Sequence, residues 1–351
     1  MTNEQKTLCQ RCCIELEPWE QSLCFACASR ECELTYVVSV SGGAGSTVAA
    51  HRCVEKHGAK NTVLLFADTN SEDESLYASM RYMRDHALKD VEMVWLKNDG
   101  QNIWDIFEKH RCIKTLTGCK ASYELKKRPL DEYVRSRWPD LARTVAVTGL
   151  DFTEEDRVQR FDAVFHARGQ KTWHPLTERP FLNSCQQVEM VESWGYPKQL
   201  MYEKGYPHNN CGGGCVLAGI SQWVGLYRDF PERFRYHAQR EAAFFARTGY
   251  SILRDRRGGT SKPMTLLDLE QRILSDDLKG LSEFRSTCGC MTPPSESATG
   301  EYSRTPQPQK TRVRLWIEGP TKMVMCRDKA PYGDWQELHH DSEGFYVEQG
   351  Q

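Results

Sequence analysis

A glycine-rich turn between an apolar strand and a helix constrains this chain more than any other feature. Leu34-Thr-Tyr-Val-Val-Ser-Val-Ser41 is a β-rich run, Gly42-Gly-Ala-Gly45 follows it, and a helical stretch runs from Ser46 to about His57. Glycines let a backbone take positive φ and approach a ligand closely. A helix starting straight after such a turn presents unpaired N–H groups and a partial positive charge, and together these suit a phosphate. The spacing is neither the G-x-G-x-x-G of dinucleotide sites nor a Walker A loop, whose Gly-Lys-Ser/Thr ending is absent.

The rest of the chain extends this pattern. Thr62-Val-Leu-Leu-Phe-Ala-Asp68, Val91-Glu-Met-Val-Trp-Leu96, Arg143-Thr-Val-Ala-Val-Thr148 and Asp162-Ala-Val-Phe-His-Ala167 read as further strands, and residues 73–88 as a helix. Strands that are apolar on both faces and alternate with helices predict an α/β fold, a parallel sheet covered by helices. From about Pro175 to Arg240 the pattern is mostly helical, interrupted by Cys211-Gly-Gly-Gly-Cys215, and Thr265 starts a further helix reaching Leu278. Residues 291–310, rich in Pro, Ser and Thr, read as a linker. Beyond it Val313, Leu315 and Ile317 alternate ahead of a Gly319-Pro320 turn, which predicts a small β appendage. The expected organisation is a cysteine-rich segment at 1–32, an α/β nucleotide-binding domain at 33–170, a helical half at 171–290, the linker at 291–310 and the appendage at 311–351.

Composition excludes several classes. The 351 residues, 39% hydrophobic and 27% charged, have room for about two packed domains. Forty-six basic against 48 acidic residues leave a net charge of −2, so any contact with nucleic acid must come from a local patch. Lys120, Lys126, Lys127 and Arg128 form a short basic run, ordinarily a solvated face, that could steer a phosphate backbone. No apolar run approaches the ~18 residues needed to cross a bilayer, and no apolar signal region opens the chain, so the expected place is the cytoplasm with no membrane partner.

The 15 cysteines are clustered, and clustered reduced thiols read first as metal ligands or reactive groups. Six fall between Cys9 and Cys32, in a segment too small to fold by burial alone. Cys9-x2-Cys12 and Cys24-x2-Cys27 have the spacing of a structural Zn²⁺ ribbon with four thiolates, and Cys13 or Cys32 could replace a ligand. A second set, Cys211 and Cys215 with Cys288 and Cys290, supplies four more thiolates, suited to Zn²⁺ or to a 4Fe-4S cluster. Cys53, Cys112, Cys185 and Cys326 are isolated and read as structural, and Cys119 alone reads as a buried core thiol.

Ser41-Gly-Gly-x-x-Ser46 resembles the PP-loop, S-G-G-x-D-S, of the ATP pyrophosphatase superfamily. More narrowly, a series of motifs resembles the phosphoadenosine phosphosulfate (PAPS) reductase family over about residues 34–290. These are Phe66-Ala-Asp-Thr-Asn70, Gly118-Cys-Lys with Lys126-Lys-Arg-Pro-Leu130, and Thr148-Gly-Leu-Asp-Phe-Thr-Glu-Glu-Asp-Arg157. His174-Pro-Leu176, Tyr202-Glu-Lys-Gly205 running into His208-Asn-Asn-Cys211, and Arg254-Asp-Arg-Arg-Gly-Gly259 continue the series. The resemblance implies an adenine nucleotide α-hydrolase-like fold with a five-stranded parallel sheet. It implies that ATP or a related adenine nucleotide binds at Ser41, Gly42, Gly43, Ala44, Gly45 and Ser46, with Asp68, Gly149, Arg157 and Arg160 around it. It makes Cys119 either a further cluster ligand or a sulfur-carrying catalytic nucleophile. The implied chemistry is adenylation of a substrate oxygen followed by sulfur transfer, or sulfonucleotide chemistry, with a sulfur donor protein and a nucleic-acid substrate as the expected partners. N-terminal zinc ribbons in PP-loop enzymes that thiolate RNA lean the same way. Two departures stand out: Gly45 replaces the PP-loop Asp, and the E-C-G-x-H motif of thioredoxin-dependent reductases is absent. They keep open the alternative of a non-catalytic zinc- and nucleotide-binding regulatory protein.

Overall fold

The structure, a computed structural model, describes residues 34–115 and 118–279, and the backbone of five short strands between 310 and 348. Strands β1 (Thr35–Ser39), β2 (Thr62–Ala67), β3 (Glu92–Leu96), β4 (Thr144–Val147) and β5 (Lys171–Trp173) form one sheet in the order β3-β2-β1-β4-β5. Every neighbouring pair is parallel, and Val37 aligns with Val63 on one side and Ala146 on the other. Strands β2 and β4 are buried along their whole length, which is why their sequences are apolar on both faces. Alternate residues divide between two layers. Val38, Leu64, Phe66, Val145 and Val147 pack with Val48 of α1 (Ala44–His57). Val37, Val63 and Leu65 pack with Val134 and Leu141 on the opposite face.

The connections are helical: α2 (Glu74–Tyr82), α3 (Ile103–His110), α4 (Arg128–Arg137), α5 (Glu155–His166) and α6 (Ser184–Ser193). Residues 162–167, expected as a strand, belong mostly to α5 instead. Val158, Phe161 and Phe165 recur at helical spacing and pack on Ala146 and Leu150. A six-residue apolar run does not by itself distinguish the two structures. The fifth strand lies just beyond, at Lys171–Trp173, and is only half-buried.

A second core belongs to the helical half. It joins α3 to α7 (Ile220–Asp229), α8 (Pro231–Thr248) and α9 (Leu266–Leu274) around Trp104, Phe107, Trp223, Phe234, Phe244 and Leu269. Thr265 caps α9 in a reciprocal box with Asp268, so the helix starts where its sequence predicts, though it ends at Leu274. The chain divides into two units, Met1–Ser295 and Glu296–Gln351. In the second, Lys310–Arg312, Gly344–Glu348 and His339–Asp341 form an antiparallel sheet, and Leu315–Ile317 pairs with Met323–Met325. Among the described residues no helix is long and apolar enough to cross a membrane.

Candidate active site

The strand order creates a switch point. From β1 the chain builds outward through β2 and β3, then returns to place β4 on the other side of β1. The loops leaving β1 and β4 therefore diverge, and the crevice between their carboxyl ends is where open α/β sheets bind ligands. The glycine turn follows β1 and Gly149 follows β4, so both lie at this crevice.

The two loops touch through backbone. A Cβ on Gly149 would lie 2.6 Å from the Ser46 nitrogen and 2.7 Å from the Gly45 carbonyl carbon. Gly42 has φ +83°, and a Cβ there would meet Leu76 of α2 at 2.6 Å. Ser46 closes the turn: its hydroxyl donates to the Gly43 carbonyl at 2.9 Å and accepts from the Ser41 N–H at 3.1 Å. The Ser41 hydroxyl lies 3.3 Å from the same oxygen, so the two serines pre-shape the turn. Gln199 donates to the Gly42 carbonyl at 2.6 Å, and the Ala44 N–H donates to the Tyr202 hydroxyl at 3.2 Å. Burial pushes the pKa of that phenol up, so it stays neutral. Gly45 and Ser46 sit in the first turn of α1, before the first intrahelical partner, and the helix itself carries no acidic residue in that turn. These features fit a phosphate group.

The wall beside the turn is built by Asp68. Its carboxylate accepts from the Tyr77 hydroxyl at 2.6 Å, the Trp95 indole at 3.0 Å and the Asn70 N–H at 2.9 Å. Buried at the end of β2, Asp68 thus holds two aromatic rings whose planes lie 19° apart. Arg157 and Arg160 both lie on α5. Arg157 pairs with Glu154, while Arg160 is exposed and donates to the Asp156 carbonyl at 2.9 Å. Thr148, the residue before Gly149, bonds His174 Nδ1 at 2.7 Å, and His174 Nε2 bonds Asp162 at 2.8 Å.

The cysteine loop lies in the second core. Cys215 is buried there, and Cys119 and Cys211 pack against the same cluster. Cys119 aligns with Lys114 across a short hairpin, Lys114–Thr115 with Gly118–Cys119. The Lys114 ammonium donates to the Ile252 carbonyl at 2.6 Å. Burial lowers its pKa, and the sulfurs of Cys215 and Cys119 oppose that shift. Cys211, Gly212 and Gly213 all have positive φ, so the loop makes a tight left-handed wrap. Its backbone is pinned on three sides. The Cys211 N–H donates to Glu72 at 2.7 Å, Arg233 donates to the Gly212 carbonyl at 2.6 Å, and Gln222 donates to the Gly213 carbonyl at 2.8 Å. Asn209, two residues before Cys211, donates to Gln199 at 2.7 Å, which links this loop to the glycine turn through the Gly42 carbonyl.

Among the described residues, no three His, Cys, Asp or Glu side chains are grouped to hold a metal ion. The four-thiolate centre needs Cys288 and Cys290, which lie outside the described residues, as do the ribbon positions Cys9, Cys12, Cys24 and Cys27. Three members of the basic run at 120–128 are engaged with carboxylates. Lys120 and Arg128 both pair with Glu124, at 2.7 and 2.8 Å, and Lys126 pairs with buried Glu72 at 2.9 Å. Gln199, Glu72 and Arg233 are contributors that the sequence pattern does not single out, because each acts through a partner distant in the chain.

No protein-family model and no curated protein matches the chain. Among solved structures, it is similar to the U34-tRNA thiolase NcsA from Methanococcus maripaludis with its 4Fe-4S cluster. That match has 13% identity over 68% of this chain and 88% of that one, with a TM-score of 0.32. It is similar to NMN synthetase from Francisella tularensis, at 13% identity over 62% and 89% of the two chains and a TM-score of 0.33. A third similarity is to PAPS reductase from Candida auris in its phosphate complex, at 13% identity over 50% and 75% and a TM-score of 0.29.

Proposed function

We propose that this chain is a PP-loop enzyme that binds ATP or a related adenine nucleotide at the crevice between β1 and β4 and uses it for adenylation and sulfur transfer. The observation that carries the reading is the backbone contact of Gly149 with Gly45 and Ser46, which shapes an anion site at the switch point of a parallel sheet. The Ser41 and Ser46 hydroxyls hold the turn in shape, and the open N–H groups of α1 face the phosphates. A substrate oxygen attacks the α-phosphorus, pyrophosphate leaves, and a sulfur nucleophile then displaces AMP from the adenylated substrate.

Cys119 is the proposed sulfur-handling thiol. It lies opposite Lys114 across the hairpin and packs against the same cluster as Cys211 and Cys215. Nucleic acid is the preferred acceptor class, with a separate protein as sulfur donor. The Cys9/Cys12 and Cys24/Cys27 pairs are proposed to hold one structural Zn²⁺.

Incubation of the full chain with labelled ATP and candidate RNA or DNA tests this. Acceptor-dependent release of pyrophosphate and AMP is expected, and in Cys119→Ser the pyrophosphate release should persist while the AMP release of the sulfur-transfer step is lost. Release of ADP and phosphate would contradict the reading. The absence of a carboxylate at Gly45 favours a second reading, a nucleotide-binding regulator. ATP binding with no turnover on any acceptor would support that one.

A further inference from the structure

We infer that Asp151, oriented by Gln187, supplies the carboxylate for a divalent cation that accompanies the nucleotide phosphates. The turn has no side chain at Gly45 to do this. The inference rests on the nucleotide reading above and concerns the same crevice.

The space beside Gly45 is lined by oxygen. A Cβ at Gly45 would lie 3.1 Å from Gln187 Oε1 and 3.1 Å from the Gly149 carbonyl oxygen. Gln187 comes from α6 and is only 5% exposed. Its Nε2 donates to the Leu182 carbonyl at 2.9 Å and to Asp151 Oδ2 at 3.3 Å. Both partners are acceptors, so the amide has one orientation that satisfies them, and that orientation turns Oε1 toward Gly45. Among the described residues, no hydrogen bond reaches this Oε1.

Asp151 leaves the end of β4 and bridges to Leu176. Its Oδ1 accepts from the Thr153 N–H at 2.9 Å and from the Thr153 hydroxyl at 2.6 Å, which shapes the turn into α5. Among the described residues, its Oδ2 accepts only the long bond from Gln187, which keeps lone pairs in reserve. A carboxamide oxygen and a main-chain carbonyl thus lie beside the first turn of α1, and the Asp151 carboxylate lies against the other arm of the same amide. Acceptors alone would repel a phosphate arriving at that helix end. A hard cation shared between them and the phosphate oxygens removes the conflict, because Mg²⁺ takes oxygen ligands. It is usually held by one or two carboxylates together with substrate phosphates, rather than by an all-protein cage.

Calorimetry on the full chain, titrating ATP in EDTA and then in Mg²⁺, tests the assignment. The wild type is expected to bind ATP more tightly with Mg²⁺. Asp151→Asn keeps the turn, since Asn accepts the Thr153 N–H equally well, but removes the charge. It should retain the metal-free affinity and lose the Mg²⁺-dependent gain. Gln187→Ala should weaken the metal by about 10–100-fold, the usual effect of removing an orienting partner. Asp151→Asn with wild-type Mg²⁺ dependence overturns the inference. So does equal loss with and without metal, which would make Asp151 structural only. ATP binding by the wild type that ignores Mg²⁺ also overturns it while leaving the nucleotide reading intact. A wild type that binds no ATP under either condition defeats the nucleotide reading itself.

Discussion

At the scale of single residues, the glycines around the crevice are not equivalent. Gly149 has backbone atoms of Gly45 and Ser46 within 2.8 Å of where a Cβ would stand, and backbone cannot swing aside. Gly43 would meet the end of the Tyr202 side chain at 3.1 Å, which can move by a few tenths of an ångström. Gly149→Ala should therefore push the two loops apart, cost about 1–3 kcal/mol of stability by overpacking, and abolish ATP binding. Gly43→Ala should keep most of its stability and lose less affinity. Thermal melts and ATP calorimetry on both variants check this, and equal effects would remove the loop-to-loop contact from the argument. The turn was legible in the sequence because its glycines are consecutive and follow a strand. Gly149 was legible only through the motif it shares with a family. The engagement of Asp68 was not, since its partners Tyr77 and Trp95 arrive from two other elements and leave no local spacing to read.

At the scale of elements, four of the five strands, β1 to β4, were legible: β2 and β4 are buried along their whole length, and β1 and the half-buried β3 still carry runs of apolar residues. The misassigned stretch, 162–167, is a helix covering one edge of the sheet, and the true edge strand is three residues long and carries little apolar signal. The cysteine loop shows the same limit. Its glycines announce a tight wrap, but its anchor is a buried ion pair from two unrelated segments. The Glu72 side chain is 1% exposed and that of Lys126 8%, and Glu72 also accepts from the Cys211 N–H. Removing one member of such a pair leaves an uncompensated buried charge. Glu72→Gln should destabilise the chain by about 3–5 kcal/mol and alter the reactivity of Cys211. Replacing both, as Glu72→Leu with Lys126→Met, should recover part of that stability. Urea unfolding together with thiol labelling distinguishes the outcomes, and a Glu72→Gln chain within experimental error of wild type would show that the pair anchors nothing.

At the scale of the whole molecule, the two cores carry buried titratable groups of opposite sign, and their balance sets how stability follows pH. In the sheet core, His51 bonds the Tyr196 hydroxyl at 2.9 Å, and burial pushes its pKa down from 6.5 to about 4. In the helical core, His237 accepts from the Trp104 indole, and burial with nearby Arg233 pushes it down from 6.5 to about 4. The folded state therefore binds fewer protons than the unfolded chain between about pH 4 and 6.5, so these groups make stability rise with pH across that window. Glu241 acts the other way. Burial raises its carboxyl from 4.5 to about 7, against the N–H bonds it accepts from Ile252 and Leu266. The folded state holds its proton longer than the unfolded chain does, and stability falls as pH rises from about 4.5 to 7. Each histidine contributes on the order of 2–3 kcal/mol, so two of them outweigh one glutamate until about pH 6.5, above which only the Glu241 decline remains. Asp73, Glu124 and Glu178 have lowered pKa values from their paired cations and hydrogen bonds, opposed by burial. Their contributions are complete above about pH 4.5 and disappear as pH falls below it through those lowered values, beneath the range where the imidazoles act. Urea unfolding between pH 4.5 and 7 should thus show stability climbing to a maximum near pH 6.5. His51→Phe should flatten the climb, and Glu241→Gln should steepen it and remove the decline beyond the maximum. A wild type whose stability falls steadily across the lower part of that range would mean that the buried imidazoles are charged in the folded state, and the balance would have to be redrawn.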